Sequence, residues 1–181
     1  MERRNILTNR LILRPFNLSD AEKVVALCNN YNVAKSTLYM PFPYSLEDAI
    51  AWINRHNDWL GKDERYEFAI TDKVTGELFG GVTFFCGREG RVGGLGYWIG
   101  ECFWNNGYAT EAVKAIIDFV FNEKSYHKVH IQHFESNIAS GKVARKCEME
   151  YEGTLKDHIY KNGKYESVVC YGLINKRSVD T

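Results

Sequence analysis

Apolar positions in the amino-terminal half of the chain change between strand-like and helix-like spacing. Alternating residues over Leu11–Phe16 predict a first strand. Helical spacing follows, and either Ser19 or Asp20 can cap that helix. The remaining elements are predicted as a weakly periodic segment over Asn32–Leu38, a loop over Met40–Tyr44, a helix over Leu46–Leu60 opened by the capping pair Ser45 and Asp48, and a hairpin of two strands, Tyr66–Thr71 and Leu78–Phe85.

The carboxy-terminal half predicts a strand, a long helix and a second strand in close succession. A glycine-rich reversal over Gly87–Gly94 leads into a strand over Leu95–Ile99, and helical spacing continues over Gly107–Asn122. The later elements are predicted as a strand over Lys128–Phe134, a helix over Ser136–Glu148, and strands over Tyr151–Tyr160 and Lys164–Asn175. Asn162 and Gly163 favour a type I′ turn, which makes the last two strands a hairpin.

This order of elements predicts one α/β (α+β) domain over residues 1–181. Most of its sheet, of about seven strands, is expected to be antiparallel, with helices on its flanks. A central parallel pair is expected between Leu95–Ile99 and Lys128–Phe134, because a long helix connects these two strands. Ligands bind where such strands diverge beside a helix amino terminus.

Composition excludes several classes of protein. Lys plus Arg and Asp plus Glu both total 23, so no overall field favours nucleic acid or an anionic membrane as a partner. No apolar run approaches the roughly 20 residues of a membrane helix. The five cysteines are scattered and odd in number, which indicates free thiols and a cytoplasmic protein. The histidines lack ligand spacing such as H-E-x-x-H, so no metal is expected.

The segment between the Leu95–Ile99 strand and the Gly107 helix has the properties of an anion-binding loop. Asn105, Asn106 and Gly107 tolerate turn conformations that aim several backbone N–H groups at one point. Those donors and the positive end of the helix dipole can bind phosphate oxygens. An ordinary glycine-containing connection explains the same residues, so this loop alone does not define a function.

Three ordered segments resemble one known family. Residues 95–110, LGYWIGECFWNNGYAT, resemble the acetyl-CoA loop of the GNAT acetyltransferases, which reads Q/R-x-x-G-x-G/A in the wider superfamily. Trp104, Gly107 and Ala109 fall on its three defined positions. Residues 137–146, NIASGKVARK, and the closing hairpin around Asn162 are similar to the branch that acetylates the amino termini of ribosomal proteins.

The resemblance implies that acetyl-CoA binds where the fourth and fifth predicted strands splay apart. Its pantetheine arm would pair with backbone near Trp98–Gly100, and its diphosphate would lie on the loop. The cofactor-binding residues implied in this way are Trp98, Ile99, Gly100, Trp104, Asn105, Asn106, Gly107, Tyr108, Ala109, Thr110, Asn137, Ser140, Val143 and Lys146. Asn137 either bonds the cofactor or caps its helix.

The same resemblance implies direct attack of an amine on the thioester, without a covalent enzyme intermediate. In many GNAT enzymes a tyrosine donates a proton to the departing thiolate. Ala144 stands at that position here, and its side chain has no proton to donate. In this branch the serine at the position of Ser140 is proposed as the proton donor. A hydroxyl group at the start of a helix can instead do no more than accept hydrogen bonds from the backbone N–H groups. The backbone N–H of Ile99 is a candidate oxyanion donor.

The general base stays open at this stage. Branch members often carry a glutamate where this chain has Gly93 and Gly94. Glu101, Glu67 and His130 are the remaining candidates, and a water chain needs no dedicated side chain. The missing glutamate also fits a noncatalytic acyl-CoA sensor, whereas a plain interaction domain would not bind acetyl-CoA.

The acceptor pocket is expected from Tyr31–Tyr44, the second helix and the closing hairpin. Its aromatic content favours the amino terminus of a protein or peptide over a small-molecule amine such as a polyamine or antibiotic. The oligomeric state is open between monomer and homodimer. Cys147-Glu148-Met149 replaces the usual Leu-Gly-Phe of the branch, and the lost glycine predicts a nonstandard turn there.

Overall fold

Eight strands form one mixed sheet in the computed structural model, which describes residues 5–87 and 89–176. The strands are β1 (Ile6–Leu7), β2 (Leu11–Arg14), β3 (Arg65–Asp72), β4 (Leu78–Phe85), β5 (Val92–Ile99), β6 (Lys128–Phe134), β7 (Glu150–Lys161) and β8 (Lys164–Ile174). Their order across the sheet is β1-β2-β3-β4-β5-β6-β8-β7. Neighbouring strands are antiparallel except for β5 and β6, which run parallel.

Helices cover both faces of this sheet. They are α1 (Ala21–Cys28), α2 (Tyr31–Ser36), α3 (Leu46–Gly61), α4 (Tyr108–Asn122) and α5 (Ile138–Lys146). The α4 residues Val113 and Ile116 are fully buried with α5 and one sheet face in the larger apolar cluster. Val24 of α1 and Ala49 of α3 are fully buried in a second cluster on the opposite face. None of the described helices has the length and apolar character to cross a membrane.

The predicted architecture is confirmed, with two additions. The sheet has eight strands rather than about seven, because β1 pairs with β2 although its two residues are too few for alternation to be visible in the sequence. The weakly periodic segment forms α2, which begins at Tyr31. The Oδ1 atom of Asn30 accepts the N–H of Asn32 at 2.8 Å and so caps this short helix.

The parallel pair is confirmed and is short. Val92–Leu95 pairs with Lys128–Ile131, and the two strands separate beyond these residues. β5 begins earlier than the predicted strand, so part of the predicted reversal is sheet. Gly93 is required inside this strand because a Cβ atom there would lie 2.1 Å from Cζ of Phe84. This glycine serves close packing and not a turn.

The two predicted helix caps have different outcomes. Ser45 caps α3 as expected: its Oγ accepts the N–H of Asp48 at 3.1 Å, and Asp48 Oδ2 accepts the N–H of Ser45 at 3.0 Å. Capping of α1 by a side chain of Ser19 or Asp20 was wrong. Asp20 instead accepts the N–H of Asn17 at 2.8 Å and two hydrogen bonds from Arg14, because a 3₁₀ turn precedes the helix.

The prediction of a nonstandard turn after α5 was also wrong. Glu148 adopts the left-handed conformation, with φ of 62°, that the usual glycine would take. Its N–H donates to Arg145 O at 3.0 Å, and the N–H of Met149 donates to Ala144 O at 3.1 Å. These two bonds define a Schellman motif, so the ordinary turn forms on a residue that is strained in it.

Replacing Glu148 with glycine should therefore stabilise the protein. A left-handed non-glycine residue costs roughly 1–2 kcal/mol, and the greater freedom of glycine in the unfolded chain returns part of that. We expect a net gain of about 0.5–1 kcal/mol and a rise in Tm of about 2 °C in thermal unfolding. The matched variant Glu150→Gly, in β7, should lower Tm. An unchanged or lower Tm in Glu148→Gly would contradict the strain at this position.

Candidate active site

The separation of β5 from β6 opens a cavity of about 840 Å³ that reaches both faces of the sheet. Glu67 and Thr83 line it on the face that carries α3. Tyr97 and Ser140 line it on the side of α4 and α5. The cavity therefore connects two environments through the gap between the parallel strands.

The backbone of β5 presents hydrogen-bonding groups to this gap. The N–H of Gly100 donates to Phe79 O at 2.9 Å on the neighbouring β4. Because backbone groups alternate in direction along a strand, the N–H and C=O of Ile99 face away from β4. Trp104 Nε1 donates to Ile99 O at 2.7 Å, which fixes the start of the loop against the strand. The predicted oxyanion donor, Ile99 N–H, is thus on the open side of β5.

The loop before α4 has the conformation expected of an anion-binding turn. Asn105 and Gly107 both take positive φ, 63° and 81°. Asn106 Nδ2 donates to the backbone oxygens of Phe103 at 3.1 Å and Trp104 at 3.0 Å, which holds the loop in this shape. Gly107 is the N-cap of α4, and no side chain caps this helix. The N–H groups of its first turn can therefore bind a phosphate, so these residues fit the diphosphate of acetyl-CoA.

A contact that the sequence did not reveal anchors this loop from outside. Arg10 Nη1 donates to Asn106 O at 3.0 Å, and Arg10 Nε lies 2.8 Å from Glu111 Oε2. Thr8 Oγ1 donates to the other oxygen of Glu111 at 2.7 Å. No motif signals this pairing, because about one hundred positions separate its members. A second cavity of about 430 Å³ lies beside it, and the predicted Thr110 and Lys146 line that cavity with Gly107.

The amino terminus of α5 is built around Asn137. Its Oδ1 accepts the N–H of Ser140 at 3.2 Å, and its Nδ2 donates to Ser36 O at 3.0 Å. Both polar atoms of the amide are engaged, which favours capping over cofactor binding among the two roles left open. Ser140 lines the main cavity, whereas Val143 packs partly buried against the core.

Tyr97 is a functional candidate that sequence reasoning missed. Its hydroxyl is buried and makes no hydrogen bond of normal geometry with the described residues. Burial raises the pKa of Tyr97 to about 12, although the nearby Ser140 hydroxyl opposes that shift. The signal in the sequence was its position on the alternating strand, which places it on the same face as Leu95 and Ile99. Tyr97 and Ser140 form a pair of neutral hydroxyl groups in the cavity.

Two of the three base candidates lie in the cavity. Glu101 does not line it: this exposed carboxylate accepts from Asn30 Nδ2 at 2.7 Å and Asn32 Nδ2 at 2.8 Å, beside the start of α2. His130 does line it, next to Gly94, where an added Cβ would lie 3.1 Å from the imidazole Cε1. Burial, aided by Lys128, lowers the pKa of His130, so the imidazole is neutral at neutral pH.

Glu67 is the carboxylate best placed to accept a proton. Thr83 Oγ1 donates to Glu67 Oε2 at 2.6 Å. The register pairs Glu67 with Thr83 and Thr83 with Gly96, so all three share one face and the glycine leaves space beside β5. Burial raises the pKa of Glu67 to about 7, against the opposing effects of Thr83 and Arg65. A group with this pKa exchanges protons readily near neutral pH.

Comparison with known proteins identifies the family of this chain. The family described as acetyltransferase (GNAT) domain matches residues 10–150. YoaA, an uncharacterized N-acetyltransferase of Bacillus subtilis (strain 168), is 27% identical over 171 residues, which cover 94% of this chain and 96% of YoaA.

Two solved structures with low sequence identity share the fold. The ribosomal-protein alpha-N-acetyltransferase RimL, in complex with coenzyme A, has a TM-score of 0.87 at 22% identity and covers 94% of this chain and 98% of its own. The microcin self-immunity acetyltransferase MccE, in complex with acetyl-CoA and AMP, has a TM-score of 0.84 at 22% identity, covering 92% and 93%. The match to the family extends over most of the chain, and this chain therefore belongs to the GNAT family of acetyl-CoA-dependent acetyltransferases.

Proposed function

We propose that this enzyme acetylates the amino terminus of a protein or peptide. The observation that carries the proposal is the α3 side of the main cavity, which is open and lined by large apolar and aromatic side chains. Those contributed by the loop before α3 and by α3 itself are Tyr39, Met40, Pro41, Tyr44 and Trp52. Such a surface suits a peptide chain better than a compact polycation. The similarity of fold to RimL supports the same class of acceptor.

The wall of this acceptor cavity is held in place by the closing hairpin. Lys161 Nζ donates to Ala34 O at 2.9 Å and also to Thr37 O. Asn137 bonds Ser36 O in the same segment. The chain after α2 is therefore fixed over the cavity before an acceptor arrives, which lowers the entropic cost of binding.

We assign the two proton transfers to opposite faces of the sheet. On the α3 face, Glu67 removes a proton from the acceptor ammonium, and the free amine attacks the thioester carbonyl. The C–N bond forms, and the Ile99 N–H stabilises the charge that develops on the carbonyl oxygen. On the α4–α5 face, Ser140 gives a proton to the departing sulfur as the C–S bond breaks. Tyr97, which is protonated at neutral pH, then restores the proton on Ser140. The nitrogen releases its second proton as the amide forms, and this proton balances the one that Tyr97 regains from solvent.

Replacing Ser140 with alanine should lower kcat about tenfold, a value below the usual loss for a general acid because the Tyr97 hydroxyl remains. The double variant Ser140→Ala/Tyr97→Phe should lose substantially more, since no neutral hydroxyl then remains in this part of the cavity. Thiol release under saturating acetyl-CoA measures both effects. Ser36→Ala is the matched control, because that hydroxyl bonds Val33 O and not the α5 terminus. A wild-type kcat in the double variant would exclude this pair from proton donation.

The acceptor class is tested by a screen of acetyl-CoA turnover. Peptides with free amino termini, the same peptides with blocked termini, polyamines and aminoglycosides are compared by thiol release and by mass spectrometry of the product. We expect turnover with free peptide termini and none with blocked ones. Turnover with small amines alone would replace the proposal by the small-molecule class, which the similarity of fold to MccE makes the second candidate.

A further inference from the structure

Arg65 is a cation in the wall of the acceptor cavity with no carboxylate bound to it. Its guanidinium carbon lies 4.4 Å from the ring centroid of Trp59 and 4.8 Å from that of Phe85. Within residues 5–87 and 89–176 it forms no ion pair at contact distance, although its charge acts on the Glu67 carboxylate. Contact with two rings restrains the guanidinium group, which keeps N–H donors that can bind an anion. Such a group is ready to bind an anion that enters the cavity.

Arg55 adds a second positive charge near the same place. It lies four residues before Trp59 on α3, hence on the same side of the helix, and it lines the cavity. The acidic side chain of this helix stripe, Asp48, is bound to Ser45 in the cap of α3. Asp48 and the two guanidinium groups of Arg55 and Arg65 all line the cavity, but the Asp48 carboxylate is held at the start of α3.

The distance between Arg65 and Glu67 limits how far the bound anion can lie from the acceptor amine. Arg65 and Glu67 lie two residues apart on β3 and point to the same face, which separates them by roughly 6.8 Å. An amine beside Glu67 thus meets a cation at about that distance. The carboxylate of a free α-amino acid is attached to the carbon that carries the amine and is too close. The side chain of the second residue of a peptide extends about two residue lengths from the terminal nitrogen and reaches it.

We propose that the acceptor is a peptide amino terminus whose second residue is acidic, with its carboxylate bound by Arg65 and with Arg55 at the rim. This inference rests on the proposed function and narrows its acceptor class. Bidentate binding of a carboxylate by a fixed guanidinium supplies the selectivity.

The test uses three peptides that differ only at the second residue, which is Asp, Asn or Lys. For the wild-type enzyme we expect kcat/KM to be about tenfold higher for the Asp peptide than for the Asn peptide, and lowest for the Lys peptide. The Asp preference should decrease as ionic strength rises. Arg65→Gln should remove the preference, and Arg55→Gln should reduce it. Lys62→Gln, which deletes a charge at the end of α3 outside the cavity, should leave the preference intact.

Peptide acetylation and the preference for an acidic second residue can fail independently. Equal kcat/KM for the Asp and Asn peptides, or an Asp preference that survives in Arg65→Gln, would overturn the anion-binding role while leaving peptide acetylation in place. Turnover of no peptide at all would overturn the proposed function itself. The affinity of each variant for acetyl-CoA, measured by calorimetry, should equal that of the wild type, because Arg65 lies on β3 and Arg55 on α3, apart from the loop before α4. This measurement checks that Arg65→Gln is folded. Arg55→Gln, at an exposed position, provides the second test.

Discussion

Glu67→Gln is expected to lower kcat/KM for a peptide acceptor about 100-fold at neutral pH, because a positioned general base typically contributes 10²–10⁴-fold. Glutamine preserves the size of the side chain and can still pair with Thr83, whose hydroxyl now contacts the carboxylate at 2.6 Å. Steady-state thiol release with saturating acetyl-CoA measures the effect. The affinity for acetyl-CoA should not change, which separates loss of the base from loss of the fold.

The pH profile should show the same group. Glu67 must be ionised to accept a proton, and burial raises its pKa to about 7, so activity should increase as the pH rises through about 7. A terminal amine ionises at about 7.7–8.0 and gives its own dependence in every variant. The limb near 7 should be absent from Glu67→Gln and present in Glu101→Gln, whose carboxylate lies outside the cavity. A limb that persists in Glu67→Gln and disappears in His130→Gln would transfer the role of base to His130.

Gly107→Val should weaken acetyl-CoA binding about 30-fold, equivalent to about 2 kcal/mol. Gly107 adopts a φ of 81°, a conformation that a β-branched residue adopts only with strain. The loop must then rearrange, and the first-turn N–H groups of α4 lose their common direction. Calorimetry with acetyl-CoA measures the change.

Gly76→Val is the matched control for Gly107→Val. Gly76 has a similar φ of 74° in the turn before β4, away from the loop before α4. Both variants should lose stability, but only Gly107→Val should lose affinity for acetyl-CoA. Equal affinities in the two variants would show that the loop amides do not hold the donor.

The resemblance of the loop before α4 to the acetyl-CoA loop was visible in the sequence, because the residues that shape this loop are neighbours along the chain. Trp104, Asn105 and Gly107 are close in sequence, and their turn-forming properties depend on backbone preferences that need no distant partner. Gly94 shows the limit of such reasoning. A glycine where the branch often has glutamate fitted a noncatalytic sensor. The sheet, however, places His130 beside Gly94 and Glu67 in the same cavity.

The sequence by itself determined the succession of helices and strands, the parallel crossover and the turn before α4, because periodicity, caps and turn residues act over a few positions. Tertiary structure alone decided which side chains meet. Strand register brings Glu67 to Thr83 and Gly96, Arg10 reaches Glu111 across about one hundred residues, and Tyr97 meets Ser140 through the packing of α5. These contacts depend on sheet order and helix packing, which no local pattern specifies.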